Sequence, residues 1–289
     1  MSNIDVKYGD LVKKVLNEGK RKPNRTGVDC YAIPGGCIEY DMSNGFPLLT
    51  TKKIPTKTMK VELEGFLKGV TSKKWYQERG CNIWDDWCNP RKVPYGHDDA
   101  TKQAMKEEDD LGPIYGAQWR NFCVPTGDDE RGVDQLRNIL ETLETDSSNR
   151  RMLCSAWNPT ALGFMALPPC HVLWQVFVID GELNLSWYQR SVDVPLGLPF
   201  NIASYALLLH LLAKHTGLVE GKLLGFLGDV HIYENQVSAV EDQVEREPFT
   251  PPTVSTSPKQ GFDLLSWKHG DTKFPNYNHE SKISIPLAV

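Results

Sequence analysis

The sequence predicts an α+β fold in which a mixed β-sheet is packed by helices around one buried central helix. Three observations carry that prediction. Residues 172–187 read as two strands around Asp180-Gly181, a hairpin signal. Residues 201–214 are apolar almost all round, as suits a buried helix. Strands and helices are interleaved without regular β-α alternation, which points away from a doubly wound sheet. The chain is read as one domain over residues 1–289, with a variable surface insertion at about 88–110.

The elements follow in order. Asp5–Glu18 places Val6, Leu11, Val12, Val15 and Leu16 at helical spacing and stops at Gly19. Val61–Leu67 also has a helical pattern, yet carries Glu62 and Glu64 among its apolar residues. From Cys88 to Asp110 the chain is polar, holds two prolines and ends in Glu107-Glu108-Asp109-Asp110, the marks of a surface insertion. Val133, Leu136, Ile139, Leu140 and Leu143 predict an amphipathic helix to about Glu144. Val172–Ile179 is rich in β-branched and aromatic residues, and Leu183, Leu185 and Trp187 alternate with polar neighbours. The apolar helix opens at Asn201, a plausible N-cap, and ends before Gly217. Leu223–Leu227 reads as a further strand and Glu234–Glu247 as a polar-faced helix ending before Pro248. The last forty residues are punctuated by proline.

Composition narrows the function. The 289 residues are 40% hydrophobic and 24% charged with a formal net charge of −5, so no global charge favours DNA or an anionic membrane. No apolar run reaches the roughly 18 residues a membrane span needs. The first residues have no apolar segment behind a basic one, so no secretory signal is expected. Seven scattered cysteines without a C-x-x-C pair argue against a disulfide framework or a zinc site, and for a reducing cytoplasm.

Several residues could carry chemistry. Cys170 follows Leu167-Pro168-Pro169, whose fixed φ angles hold it stiffly before a strand; it reads as a nucleophile or as a buried structural thiol. His171 suggests a Cys–His pair, but neighbours on a strand face opposite ways, which weakens a thiol-hydrolase reading. Arg150-Arg151 and Gln189-Arg190-Ser191 lack nearby carboxylates; they read as solvated surface or as forks for a phosphomonoester. Asn201 reads as an N-cap, or as a carboxamide matched to the O4 and N3–H edge of uracil. Glu62 either faces water or, if buried, has a raised pKa and moves protons. His231 and Tyr233, two apart on an extended segment, share a face and could donate to a sugar hydroxyl or satisfy each other.

Together these residues resemble the thymidylate synthase family. Met165–His171, Tyr188–Asp193 with Leu196–Tyr205, and Gly228–Tyr233 match its active-site segments almost residue for residue. Arg25-Thr26-Gly27, Asn44–Lys52, Ile83–Trp87, Leu111–Arg120 and Arg150-Arg151 through Asn158 match as well. The resemblance runs from about Tyr8 to Val289 and is weakest at Ser72–Asp110 and Thr250–Phe274.

The resemblance implies a cytoplasmic homodimer that makes dTMP and dihydrofolate from dUMP and 5,10-methylenetetrahydrofolate, without a metal. Cys170 would attack C6 of dUMP. Arg190 would hold the phosphate and favour the thiolate, with Arg25, Gln189 and Ser191 around the nucleotide and Arg150 and Arg151 reaching from the partner subunit. Asn201 would read the uracil edge, and His231 and Tyr233 the ribose 3′-hydroxyl. Glu62, with water, would manage protons at O4, and Tyr115 would lie near the C5 proton. The folate would lie against Ile83, Trp84, Trp87, Leu167, Asp193, Leu196, Gly197 and Phe200, with Lys52 at its glutamate tail and Val289 closing over it.

One departure bears on the outcome. Two residues after the glutamate the family usually has Leu-Trp, where this chain has Glu64-Gly65. A Trp-to-Gly change removes on the order of 200 Å² of packing surface, so neighbours compensate or a space opens. A carboxylate at the position of Glu64 also occurs in the related phage deoxycytidylate hydroxymethylases, in which water captures the exocyclic methylene. The alternative product is therefore 5-hydroxymethyl-dUMP with tetrahydrofolate. Asn201 in place of their aspartate implies uracil as the base, and Trp84 with Ala288-Val289 implies hydride transfer. A non-catalytic RNA- or protein-binding module is disfavoured by Cys170, Arg190, Asn201 and Glu62 occurring together, and a cysteine acyl hydrolase by the strand geometry.

Overall fold

The computed structural model describes residues 3–24, 27–123 and 132–287. Helices are α1 (Ile4–Glu18), α2 (Thr56–Lys68), α3 (Lys73–Gln77), α4 (Asp99–Glu107), α5 (Gly116–Arg120), α6 (Gln135–Thr145), α7 (Gly197–Thr216) and α8 (Val237–Val244). Strands are β1 (Lys20–Lys22), β2 (Cys30–Asp41), β3 (Leu153–Ser155), β4 (His171–Ile179), β5 (Glu182–Asp193), β6 (Val219–Tyr233), β7 (Ser255–Thr256) and β8 (Thr272–Lys273). The main sheet has the order β1-β2-β6-β5-β4-β3, with β5 and β6 parallel and β2 and β6 antiparallel. The fold class is α+β with a mixed sheet, as the sequence predicts.

Contacts divide the chain into two compact units. The first comprises Met1–Pro55, Val176–Phe262 and Gly270–Val289; the second comprises Thr56–Gln175 and Asp263–His269.

In the first unit α7 supplies the crossover that a parallel β5–β6 pair requires. Of its 20 residues 13 are buried, and Gly217 ends it with φ 73° while its N–H bonds the Ala213 carbonyl. The packing is close. Trp187 lies over its register partner Gly225, where a Cβ would come within 2.5 Å of the indole, and stacks on Tyr205 of α7 at 5.2 Å. Asp180 and Gly181 between β4 and β5 have φ 52° and 80°, the left-handed pair of a type I′ turn.

Two expectations shift here. The helix begins at Gly197 rather than Asn201, because Pro199 in the first turn gives up only an N–H that has no helical partner there. Asn201 is thus inside α7 and not its N-cap. β6 runs 15 residues rather than five; Gly221, Gly225 and Gly228 interrupt its apolar pattern, but it pairs on both sides.

In the second unit α2 packs on α5 and α3, and α5 on α6. Gly116 allows the α2–α5 approach: a Cβ there would sit 2.4 Å from the Phe66 backbone. The 88–110 segment carries α4 and is mostly exposed, with Met105 buried. Buried Lys73 of α3 donates to the carbonyls of Met105 at 2.7 Å and Asp85 at 3.1 Å, capping the end of α4 with a cation. No helix among the described residues is long and apolar enough to cross a membrane.

Candidate active site

The second unit holds the thiol and the carboxyl. Cys170 is half-buried immediately before β4, after Pro168-Pro169. Its backbone N–H donates to the Tyr115 hydroxyl at 2.9 Å. Tyr115 has φ 26°, an uncommon backbone for a residue with a side chain, and is 5% exposed. That backbone aims the ring between Phe66, at 4.9 Å, and His171, at 4.2 Å. His171 is buried in this stack, and desolvation lowers its pKa to about 3, so the ring is neutral. It fills the core beside Tyr115.

Glu62 projects from α2 and is only partly exposed. Burial raises its pKa to about 7; Trp84 pulls the other way, although its indole N–H makes no aligned hydrogen bond. Trp84 is 6% exposed and lies 6.2 Å from the Tyr115 ring. Beside it Ile83 is exposed, and Trp87 stacks on Tyr95 at 5.8 Å. Leu167 is half-buried, and Arg150 and Arg151 are exposed.

The first unit gathers the other candidates at the ends of β5 and β6 and the start of α7. Asp193 and His231 are register partners. Asp193 accepts from the Leu196 N–H at 3.0 Å and from Gln236 Nε2 at 3.3 Å; burial outweighs these bonds and raises its pKa. The same Gln236 amide donates to the Pro286 carbonyl at 2.9 Å, tying the C-terminal segment to Asp193. A Cβ on Gly197 would lie 3.7 Å from Asn201 Oδ1 and 3.9 Å from Asp193, so these three residues adjoin. Phe200 is half-buried in the same turn of α7. His231 is buried, with Nδ1 3.2 Å from the Asp229 carbonyl, and its ring meets Tyr233 edge-on at 5.2 Å. Lys52 is buried and donates to the Pro195 carbonyl; desolvation lowers its pKa to about 8, against the pull of Asp193. Gln189 faces the core, accepting from Trp187 Nε1 at 3.3 Å, whereas Arg190 and Ser191 are half-exposed. Arg25 and Val289 lie outside the described residues.

Residues 6–289 match the family model described as thymidylate synthase. The chain belongs to the thymidylate synthase family. That membership sets the activity class as one-carbon transfer to dUMP from methylenetetrahydrofolate. Among the described residues no group of three or more His, Cys, Asp or Glu could hold a metal ion.

Glu64 and Gly65, where the resemblance leads one to expect Leu-Trp, are both closely packed. No space opens at Gly65, because the Tyr76 ring occupies it: a Cβ on Gly65 would lie 2.3 Å from Tyr76 Oη. Glu64 is 3% exposed and engaged by Lys68, by His269 Nδ1 at 2.6 Å and by the His269 N–H at 2.8 Å. Burial pushes its carboxyl up, but these partners outweigh it and hold the pKa below the ordinary value. Sequence reading missed Tyr76 and His269. Glu64 and Lys68 stand at helical (i, i+4) spacing and were readable; His269, 205 residues away, offered no local signal.

Proposed function

We propose that this enzyme converts dUMP and 5,10-methylenetetrahydrofolate to dTMP and dihydrofolate through a covalent adduct of Cys170 with C6 of the uracil. The observation that carries this reading is Glu62. It is a carboxyl whose pKa lies at about 7, in the same compact unit as Cys170 and beside the Trp84 indole. A group so placed can deliver a proton and take one back near neutral pH.

The Cys170 thiolate forms the bond to C6, and the electron pair of the C5–C6 double bond moves onto O4. Glu62, through water, supplies the proton that stabilises O4 as negative charge develops there. C5 then takes the one-carbon unit. The folate supplies both that unit and the hydride that reduces it. The C5 proton passes to solvent beside the Tyr115 hydroxyl as the bond from the one-carbon unit to the folate breaks, and the Cys170–C6 bond breaks last, restoring the thiolate. Arg190 with Ser191 and Arg25 holds the phosphate, Asn201 reads the uracil edge, and His231 with Tyr233 takes the 3′-hydroxyl. Asn201 is released for that task, since α7 starts four residues before it.

The folate is proposed to lie on the exposed Ile83 side chain together with buried Trp84 and half-exposed Trp87, with Leu167, Asp193, Leu196, Gly197 and Phe200 completing its site. Ile83 is 43% exposed, an apolar surface suited to an aromatic ring system. Lys52 has N–H groups to give beyond its bond to Pro195 and meets the glutamate tail. Water capture of the methylene is disfavoured because Tyr76 fills the notch at Gly65 and Glu64 is committed to Lys68 and His269.

The reading includes a cytoplasmic homodimer in which Arg150 and Arg151 enter the partner's site. Both are exposed within one chain. An apolar strip on the sheet supports the pairing: the register partners Tyr188 and Phe226 are 40% and 49% exposed. Cys170→Ser tests the chemistry. Turnover falls by several orders of magnitude while dUMP binding stays measurable by calorimetry. Near-normal activity in that variant overturns the adduct.

A further inference from the structure

Glu62 and Gly65 are three residues apart on α2 and so share a face of the helix. Gly65 leaves a notch on that face, and the Tyr76 ring fills it. An added Cβ would lie 2.3 Å from Tyr76 Oη, 2.4 Å from Cε1 and 2.5 Å from Cζ. The ring cannot swing away, because Tyr76 is 0% exposed and held at several points. Its hydroxyl donates to the Val70 carbonyl at 3.2 Å, and the Val70 N–H donates to the Gly65 carbonyl at 2.9 Å. Its own carbonyl accepts from the Cys81 N–H at 3.0 Å, and Trp75 meets the ring edge-on at 5.1 Å. Helix propensity alone would favour alanine over glycine at an interior position. The glycine is there because the ring is.

We propose that Tyr76 is a positioning residue for Glu62: seated in the Gly65 notch, its ring forms the dry wall that keeps water from the carboxyl and holds it for proton transfer. This rests on the role assigned to Glu62 above. The titratable groups that face the carboxyl are Tyr76 of α3 and Cys81 just beyond it. Burial pushes both up, Cys81 to about 12, so neither brings a charge near neutral pH. On α5, which packs against α2, Arg120 is committed to Asp134 at 2.8 Å and to the Leu67 carbonyl at 2.6 Å. His171, on the far side of Tyr115, is neutral. With no charge among the described residues set against it, desolvation governs the carboxyl, and Tyr76 supplies part of that desolvation.

The test uses the full-length protein without ligand, so it does not depend on which product is formed. Infrared titration of the carboxyl band, with Glu62→Gln as the blank, follows the Glu62 midpoint. Tyr76→Ala admits water and moves that midpoint to lower pH by roughly tenfold or more in proton concentration. Tyr76→Phe, which keeps the ring, leaves it in place. Thermal unfolding then checks the contact. Gly65→Ala lowers Tm by about 3 °C or more in the native background and raises it in the Tyr76→Ala background, where only propensity acts. Should Tyr76→Ala fail to fold, Tyr76→Leu carries both measurements. An unmoved midpoint, or the same effect of Gly65→Ala in both backgrounds, overturns the proposal. If both measurements succeed and no thymidylate forms, the wall stands and the assigned reaction is what fails.

Discussion

Glu62→Gln removes a titration while keeping the shape of the side chain, so it isolates what burial of that carboxyl costs. Its pKa is raised from the ordinary 4.5 to about 7, chiefly by desolvation. Below 4.5 both native and unfolded chains are protonated. Between the two values the unfolded chain has released its proton and the native chain has kept it. The native state then binds more protons, and its stability falls as pH rises. Near 7 the native carboxyl ionises as well, and the penalty stops growing. The full shift corresponds to roughly 3 kcal/mol, which partial exposure of the residue reduces to about 2 kcal/mol. Glutamine carries no such penalty. Urea unfolding followed by circular dichroism therefore finds the variant and the native protein nearly equal at pH 4.5, with the variant about 2 kcal/mol ahead by pH 7.5. Turnover moves the opposite way, falling by about 10²- to 10⁴-fold with the loss of the proton carrier. A stability difference that stays flat across this range would refute the desolvated Glu62 on which the mechanism stands.

Two further substitutions address recognition. Asn201→Asp narrows the ratio of kcat/KM for dUMP over dCMP, because a protonated or water-linked aspartate can accept from the cytosine amino group; an unchanged ratio removes Asn201 from base reading. Arg150→Ala and Cys170→Ala proteins, each weak or inactive alone, regain activity when mixed under conditions of subunit exchange, since the heterodimer holds one complete site. No recovery despite demonstrated heterodimers would place Arg150 in its own subunit's site or in none.

Much of the scaffold was legible because its determinants are local. The face formed by Leu11, Val12 and Val15 specifies α1, and Asp180-Gly181 specifies a turn whose two left-handed φ angles few other pairs adopt as readily. Where the sequence misled, a local signal had two physical meanings. Asn201 is a good N-cap type, but Pro199 is also a good first-turn residue, and the helix started earlier. The strand expected over Leu223–Leu227 runs from Val219 to Tyr233, because Gly221 and Gly228 stay within it and Gly225 makes room for Trp187 across the strand pair. In the candidate site, Cys170, Arg190, Asn201 and His231 each also had a purely structural reading, and it was the family resemblance that joined them. What was not legible was long-range packing. Nothing near Gly65 announces that Tyr76 fills its notch, and nothing near Glu64 announces His269. Gln189, adjacent to Arg190, turns inward to Trp187 because successive residues of a strand face opposite ways.

The central claim is that hydride, and not water, captures the one-carbon unit at C5. The direct measurement is mass spectrometry of the nucleotide formed from dUMP and 5,10-methylenetetrahydrofolate, with the oxidation state of the folate read in the same reaction by absorbance. The filled notch at Gly65 and the committed Glu64 carboxylate predict dTMP and dihydrofolate in equal amounts, with absorbance rising in the dihydrofolate band. 5-Hydroxymethyl-dUMP with unoxidised tetrahydrofolate would contradict the account.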